Sequence, residues 1–477
     1  MAGLTSMRRK GLASNFSRLS ASTTIQSVLG FITVVYLARI LGPKVYGLYN
    51  YTWTLPLLFL IITQLGIPTW VTRQAASLKD VERTQRVQDA WNIMFWLGIM
   101  TTMGFIGMTI VLPMPALTKT LLLLWSSLLL QNSINPLWIY ALDEQLTIPA
   151  IGIIIGAALR LIGTVFLVRT QGQITLAIVI AMTALWIALI GSIGYLVLHH
   201  RLKLPRWPGW KAIGITIRHS RVFASLGAVS VLYSGIDIII LRHFSTLTQV
   251  GFYSVAQRPI VFLWSFVVSF LHTFYPVAGR MAQENIQKLE HLTANILRMV
   301  LIVIVPIVIG TLVVAKPVII SLFGKPYQAS AVPLMLLVVA WALSAIREVF
   351  AISLLSTFGE KLYLRGVLIG GIVNLLAMLG FVRWGATGLA LALALSQGFV
   401  MIYTGWALRR KFRRIVFPWK TGGIAVFNSL VMAFIVYKLL PFSSVWVIIG
   451  IGIVVFAGLA VITRLLTWAD ILAIMHS

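Results

Sequence analysis

Apolar runs of about twenty residues recur along the whole chain, and they limit its possible folds more than any other feature. A helix rises about 1.5 Å per residue, so about 20 apolar residues cross the roughly 30 Å hydrocarbon core of a bilayer. Spans are expected near 20–40, 46–66, 91–112, 117–139, 147–168, 173–198, 221–242, 250–271, 296–315, 331–356, 361–382, 386–408, 417–440 and 444–466. The breaks between them carry Gly, Pro or charge, as in Leu41-Gly42-Pro43-Lys44, Leu112-Pro113-Met114-Pro115 and Arg383-Trp384-Gly385. Composition agrees. Of 477 residues, 59% are hydrophobic and 10% are charged, where a soluble chain carries about a quarter charged. The expected fold class is an all-α integral membrane protein of about fourteen transmembrane helices. The first run is long enough to span and follows a basic N-terminus, so it reads as a retained helix rather than a cleaved leader.

A net charge of +27 would point to nucleic acid in a soluble protein. In a membrane protein it reports topology first, because Lys and Arg collect in cytoplasmic loops. Counted at successive breaks, 26 Lys and Arg fall on the side of the N-terminus, 9 on the other side and three inside helices. This bias places both termini in the cytoplasm and the chain in the inner (plasma) membrane, with no nucleic-acid partner. The largest basic clusters, 201–221 and 409–420, read as topology signals and contacts to anionic membrane lipids. No loop is long enough for a soluble domain. The longest break, 199–220, has room for a short amphipathic interfacial helix.

Two correspondences indicate an internal repeat. Gly47-Leu48-Tyr49 falls on Gly251-Phe252-Tyr253, 204 positions later. Gly152-x-x-x-Gly156-x-x-x-Arg160 falls on Gly366-x-x-x-Gly370-x-x-x-Asn374, with an offset of 214. Small-xxx-small faces let helix backbones approach closely. The repeat divides the chain into a basic N-terminus (1–19), an N-terminal lobe of six helices (20–198), a cytoplasmic linker (199–220), a C-terminal lobe of six helices (221–408), and helices 13 and 14 with the C-terminus (409–477). Six is even, so the two pseudo-symmetric lobes run the same way across the membrane. Transporters with parallel repeats bind substrate between the halves and alternate access by rocking them.

The chemistry of a membrane enzyme is missing. There are no cysteines and eleven Asp and Glu, nine of them in breaks or near span ends. No Asp-x-Asp pair on an outer loop, His-Glu-x-x-His zinc motif or Walker-type phosphate loop occurs. The chain therefore reads as a transporter without cofactor or metal, driven by a gradient rather than by its own ATP hydrolysis. Charges at membrane depth are costly and usually functional. Arg160 lies nearest mid-span, and a guanidinium binds phosphate oxygens bidentately. Arg39, Arg73 and Arg258 join it as candidate substrate contacts, with snorkelling to head groups as the equal alternative. Arg347 is a further candidate, or else half of a buried ion pair with an acid such as Asp237. Its neighbour Glu348 points to another face and is not expected to pair with it. The N-terminal lobe has no acid inside a helix, which favours an anionic ligand there. Asp237 and Asn374 are the candidate Na+ or H+ coupling residues, a structural role for Asp237 being the alternative. The tryptophans, including Trp53, Trp91 and Trp125, read mostly as interfacial belts.

The stretch from Ala38 to Tyr49, then Gly66 and Arg73, resembles the opening of polysaccharide biosynthesis flippases of the multidrug/oligosaccharidyl-lipid/polysaccharide exporter superfamily. So do Gly251-Phe252-Tyr253-Ser254-Val255-Ala256-Gln257-Arg258 with Tyr275-Pro276, Leu322-Phe323-Gly324-Lys325-Pro326-Tyr327, and Gly385-Ala386-Thr387-Gly388-Leu389-Ala390. The resemblance covers about residues 12–410. It implies a flippase that moves a polyprenyl-(di)phosphate-linked anionic oligosaccharide from the cytoplasmic to the outer leaflet, for O-antigen, capsule or exopolysaccharide assembly. Partners so implied are the lipid-linked glycan, membrane lipids, and polysaccharide polymerase and glycosyltransferases. The competing readings are an ion-coupled drug or metabolite antiporter of the same superfamily and a lipid II flippase. A membrane glycosyltransferase lacks its outer-loop acids here.

Overall fold

A computed structural model describes residues 2–75, 80–143, 145–199, 202–233, 235–412 and 417–465. The basic positions Arg201, Arg413 and Arg414, the C-terminal residues 466–477 and the side chains of the basic N-terminus lie outside what is described. Among the described residues every regular element is helical. Contacts group the chain into two compact units, Met1–Arg242 and His243–Ser477.

The first unit holds α1 (Ala2–Leu57), α2 (Leu60–Gln64), α3 (Ile67–Ala75), α4 (Asp80–Val111), α5 (Ala116–Ser133), α6 (Leu137–Leu142), α7 (Thr147–Leu167), α8 (Ile174–Leu198) and α9 (Trp210–Tyr233), with α10 (Ile236–Phe244) across its end. The second holds α11 (Leu247–His272), α12 (Tyr275–Glu284), α13 (Ile286–Phe323), α14 (Ala331–Ser356), α15 (Glu360–Phe381), α16 (Gly385–Arg409), α17 (Trp419–Leu439) and α18 (Val445–Ile462). Ten helical stretches among the described residues are long and apolar enough to cross a membrane. Two of them, Ser22–Gln74 and Glu360–Arg409, each run through two of the spans expected from sequence. The expected spans 117–139 and 221–242 are interrupted instead, at Asn135-Pro136 and at Gly235. In the 199–220 break, helix begins at Trp210 and continues without interruption as α9, so no separate interfacial helix forms there.

The polar turn expected after the first span is a reversal centred on one residue. Gly42 has φ 69° and ψ 170° inside α1, a region open essentially to glycine alone, and Pro43 follows without an N–H to continue the ladder. Gln26 and Trp53 line one cavity. A straight helix would hold them about 40 Å apart, so α1 folds back on itself at Gly42. The segment before the reversal packs on α7. There the Tyr36 hydroxyl donates to the carbonyl of Val165 or Val168, at 3.0 and 2.8 Å, at the C-terminal end of α7.

The repeat is visible inside each unit. In the first, Gly156 of α7 meets α8 so closely that a Cβ there would lie 3.1 Å from Ala188 Cβ. In the second, a Cβ at Gly366 of α15 would strike the Tyr403 ring of α16, and the Ser396 hydroxyl donates to the Gly370 carbonyl at 2.9 Å. The turns match too. Gln171, after α7, lies against Gly42, and Gln249, at the start of α11, accepts from the Ala386 N–H at 3.0 Å beside Gly385. Helix faces left outside this packing are apolar, as with Ile151, Ile155, Ile162 and Phe166 of α7. Lipid solvates such faces without penalty. The final pair is anchored to α13: α17 packs on it, and Met432, Val436, Val445 and Ile448 form a small core with Val314.

Gly42→Val is expected to destabilise the protein by about 1–3 kcal/mol, because a branched side chain cannot adopt this backbone. The detergent-solubilised protein should melt several degrees lower. Gly104→Ala, where nothing lies within 4 Å, should melt at or above the wild-type temperature.

Candidate functional site

The first unit contains a cavity of about 550 Å³. Its walls come from α1 on both sides of the Gly42 reversal, from the end of α5, and from the packed pair α7 and α8. The glycine face explains the opening. Gly152 and Gly156 bring α7 against α8 and leave space above their backbones, and Arg160 follows one turn later on the same face. The Arg160 Nη2 donates to the Tyr49 hydroxyl at 3.1 Å. Its Nε is buried and makes no hydrogen bond among the described residues. Tyr49 and Trp53 stand one turn apart, and both rest edge-on against the wholly buried Trp125, with ring centroids 5.6 and 4.6 Å away.

Among the described residues Arg160 is the one ionisable side chain in the cavity wall, and no Asp or Glu lines it. The remaining polarity is neutral: Gln26, Gln131, Asn132, Asn135, Ser27 and Ser192. The two asparagines are fixed by bonds to their surroundings. Asn132 Nδ2 donates to Thr63 Oγ1 at 2.8 Å, while Gln64 Nε2 donates to the Asn132 carbonyl at 2.7 Å. Asn135 Oδ1 accepts from the Leu137 N–H at 3.1 Å. The Thr63 and Gln64 bonds also latch the short α2 to α5 where the second span is broken after Pro56. Irregular backbone at membrane depth persists only where protein or a cavity satisfies it. The site offers a half-buried guanidinium for an anion and neutral amides for hydroxyl or amide groups.

Of the candidate residues read from sequence, Arg160 alone lines this cavity. Arg39 is exposed just before the Gly42 reversal, and Arg73 is exposed at the end of α3. Asp237 is buried in the first turn of α10, where its carboxylate accepts from the Ile238 N–H at 2.8 Å. In the second unit, Arg258 is half-buried on α11. Asn374 is buried on α15 with its Oδ1 unpartnered among the described residues. The reading that kept Arg347 and Glu348 apart is corrected: Arg347 Nη2 lies 3.3 Å from Glu348 Oε2. Neighbours on a helix point about 100° apart, but these two long side chains bend round to meet. At low dielectric their attraction outweighs the cost of bending. The belt reading of the tryptophans is corrected as well. Trp125 and Trp91 are core residues, 0% and 2% exposed, and Trp53 lines the cavity. Sequence reasoning passed over Gln131, Asn132 and Asn135. Their signal was three carboxamides in five residues inside an apolar span.

The fold and this cavity define a polytopic, all-helical membrane protein with a cationic site inside its N-terminal unit. The chain belongs to the polysaccharide biosynthesis protein family, whose profile matches residues 12–282. A probable low-salt glycan biosynthesis flippase, Agl15 of Haloferax volcanii, is 24% identical over 266 residues, covering 55% of this chain and 56% of the relative. A putative O-antigen transporter of Escherichia coli K12 is 25% identical over 244 residues, covering 48% of this chain and 56% of the relative. The match thus spans about half the length of each of these relatives. Among solved structures, the lipid II flippase MurJ in an inward closed conformation aligns with a TM-score of 0.75 at 17% identity. That alignment covers 94% of this chain and 98% of MurJ; it shows a shared fold.

If Tyr49 holds the Arg160 guanidinium, their contributions to stability are coupled. Tyr49→Phe, Arg160→Met and the double variant should give a coupling energy of about 0.5–3 kcal/mol in thermal melts. Additive effects would show that the bond contributes nothing.

Proposed function

We propose that this protein flips a polyprenyl-(di)phosphate-linked oligosaccharide from the cytoplasmic to the outer leaflet by alternating access, for assembly of an O-antigen, capsule or exopolysaccharide. It makes and breaks no covalent bond. One observation carries the reading: among the described residues the cavity's only ionisable side chain is Arg160, and no Asp or Glu lines its walls. A lipid-linked glycan presents a phosphate group whose charge must leave water to cross. Removing a charge from water is costly unless it is paired and hydrogen-bonded. A guanidinium already held at membrane depth supplies the opposite charge and two parallel donors. A pocket for a cationic drug would need the opposite sign, which disfavours the antiporter reading. The family match and the flippase and O-antigen transporter relatives support the same substrate class.

In this proposal the chain crosses the inner membrane fourteen times with both termini in the cytoplasm, as the Lys and Arg bias requires. The six, six and two division of the sequence repeat is retained, with its linker at 199–220. Arg39, Arg73, Arg258 and Arg347 are secondary contacts along the path of the head group. Asp237 and Asn374 are the candidates for a coupling Na+ or H+. Polymerase and glycosyltransferases are the partners that would consume and supply the glycan.

Arg160→Ala should reduce flipping of a lipid-linked oligosaccharide in proteoliposomes by about 10–150-fold, the loss of one charge-assisted hydrogen bond. Arg160→Lys keeps the charge without the fork and should fall between. Wild-type flipping by a correctly inserted Arg160→Ala protein would refute the reading.

A further inference from the structure

The Arg160 cavity contains more recognition chemistry than a phosphate requires. Gln131 is 8% exposed, lines the cavity, and its carboxamide makes no hydrogen bond among the described residues. That carboxamide opens onto the cavity and offers a donor and an acceptor together. A phosphate would use only the donor, and a cation only the acceptor. Hydroxyl and acetamido groups use both. Asn132 and Asn135 add complementary halves. The nitrogen of Asn132 is engaged by Thr63, which leaves its oxygen to accept. The oxygen of Asn135 is engaged by the Leu137 N–H, which leaves its nitrogen to donate.

Trp53 supplies an apolar surface beside these groups. It lines the same cavity, its ring braced by Trp125 with centroids 4.6 Å apart and planes 72° apart. It stands one helical turn, about 6 Å, from Tyr49, whose hydroxyl holds Arg160. A neutral ring with apolar C–H faces and polar edges is the ligand that an indole flanked by carboxamides fits. Among the described residues no carboxylate lines the wall to neutralise an ammonium group.

We propose that this cavity is a junction site: Arg160 takes the phosphate, while Trp53 and Gln131 bind the neutral sugar ring attached directly to it. The proposal rests on the phosphate reading above and adds a second subsite to it. Recognition of the carrier then depends on the first sugar as well as on the charge, and both are read inside the N-terminal unit.

The test measures binding of three probes to the purified full-length protein by native mass spectrometry. They are bare undecaprenyl diphosphate and the same lipid carrying one N-acetylglucosamine or one galactose. The wild type should bind the better of the two sugar-bearing probes about 10-fold more tightly than the bare lipid. Gln131→Met and Trp53→Leu should each remove most of that advantage and leave affinity for the bare lipid within about 2-fold. Equal wild-type binding of all three probes overturns the sugar subsite, and this comparison needs no variant. Variants that weaken bare and sugar-bearing lipid alike overturn it too, while the phosphate reading stands. Arg160→Ala should weaken all three probes. If it weakens none, the phosphate reading falls, and the junction site falls with it.

Discussion

A guanidinium held at membrane depth is the constraint on which the N-terminal unit turns. An arginine there is expensive unless it faces a cavity and has partners. Each requirement is met by a separate part of the chain. The Gly42 reversal brings the second half of α1 back so that Tyr49 reaches Arg160. Gly152 and Gly156 clear the space in front of the guanidinium by closing α7 onto α8. The buried Trp125 braces the rings of Tyr49 and Trp53. The hydrogen-bonding power of Arg160 remains incompletely used within the protein, since its Nε has no partner among the described residues.

The broken second span follows from the same demand. After Pro56 the helix stops, resumes briefly as α2, and stops again where Leu65 and Gly66 take positive φ. Thr63 and Gln64 in this short piece are tied to Asn132 by two side-chain bonds. Asn132 is therefore both part of the cavity wall and the fastening of the irregular backbone. The cavity wall and the conformation of the second span thus meet in one residue.

The second unit has a different character. Its half-buried arginine candidate Arg347 is paired with Glu348, and its repeat-related counterpart of Arg160 is the uncharged Asn374. The helix-packing glycines are shared between the repeats, and the cation is not. The last two helices pack as an addition to α13 rather than completing a repeat. Asn428 on α17 donates to Thr463 at 2.9 Å at the end of α18, so the pair is joined by a buried polar contact as well as by its small apolar core.

Much of this was legible in the sequence because lipid imposes simple rules. Run length, the Lys and Arg bias, the paired glycine motifs and the isolated Arg160 each follow from the cost of placing backbone or charge in hydrocarbon. That reading singled out Arg160, which lines the cavity; its expectation that no acid lies inside a helix of the N-terminal lobe does not hold, because α4 begins at Asp80 and contains Glu82 and Asp89. Other features were decided by contacts between residues distant in the chain. Whether Trp53 and Trp125 face lipid, core or cavity depends on which helices meet there, and hydropathy cannot distinguish these. Gln131 is one polar residue in an apolar span until α1, α5, α7 and α8 enclose a space beside it. Glu348 pairs with Arg347 through side-chain bending that helical position alone does not reveal. The sequence determined a multispan helical protein with a cation in its N-terminal lobe. Only the tertiary structure showed which side chains share the cavity with that cation, because a binding site is set by long-range packing and transmembrane periodicity is local.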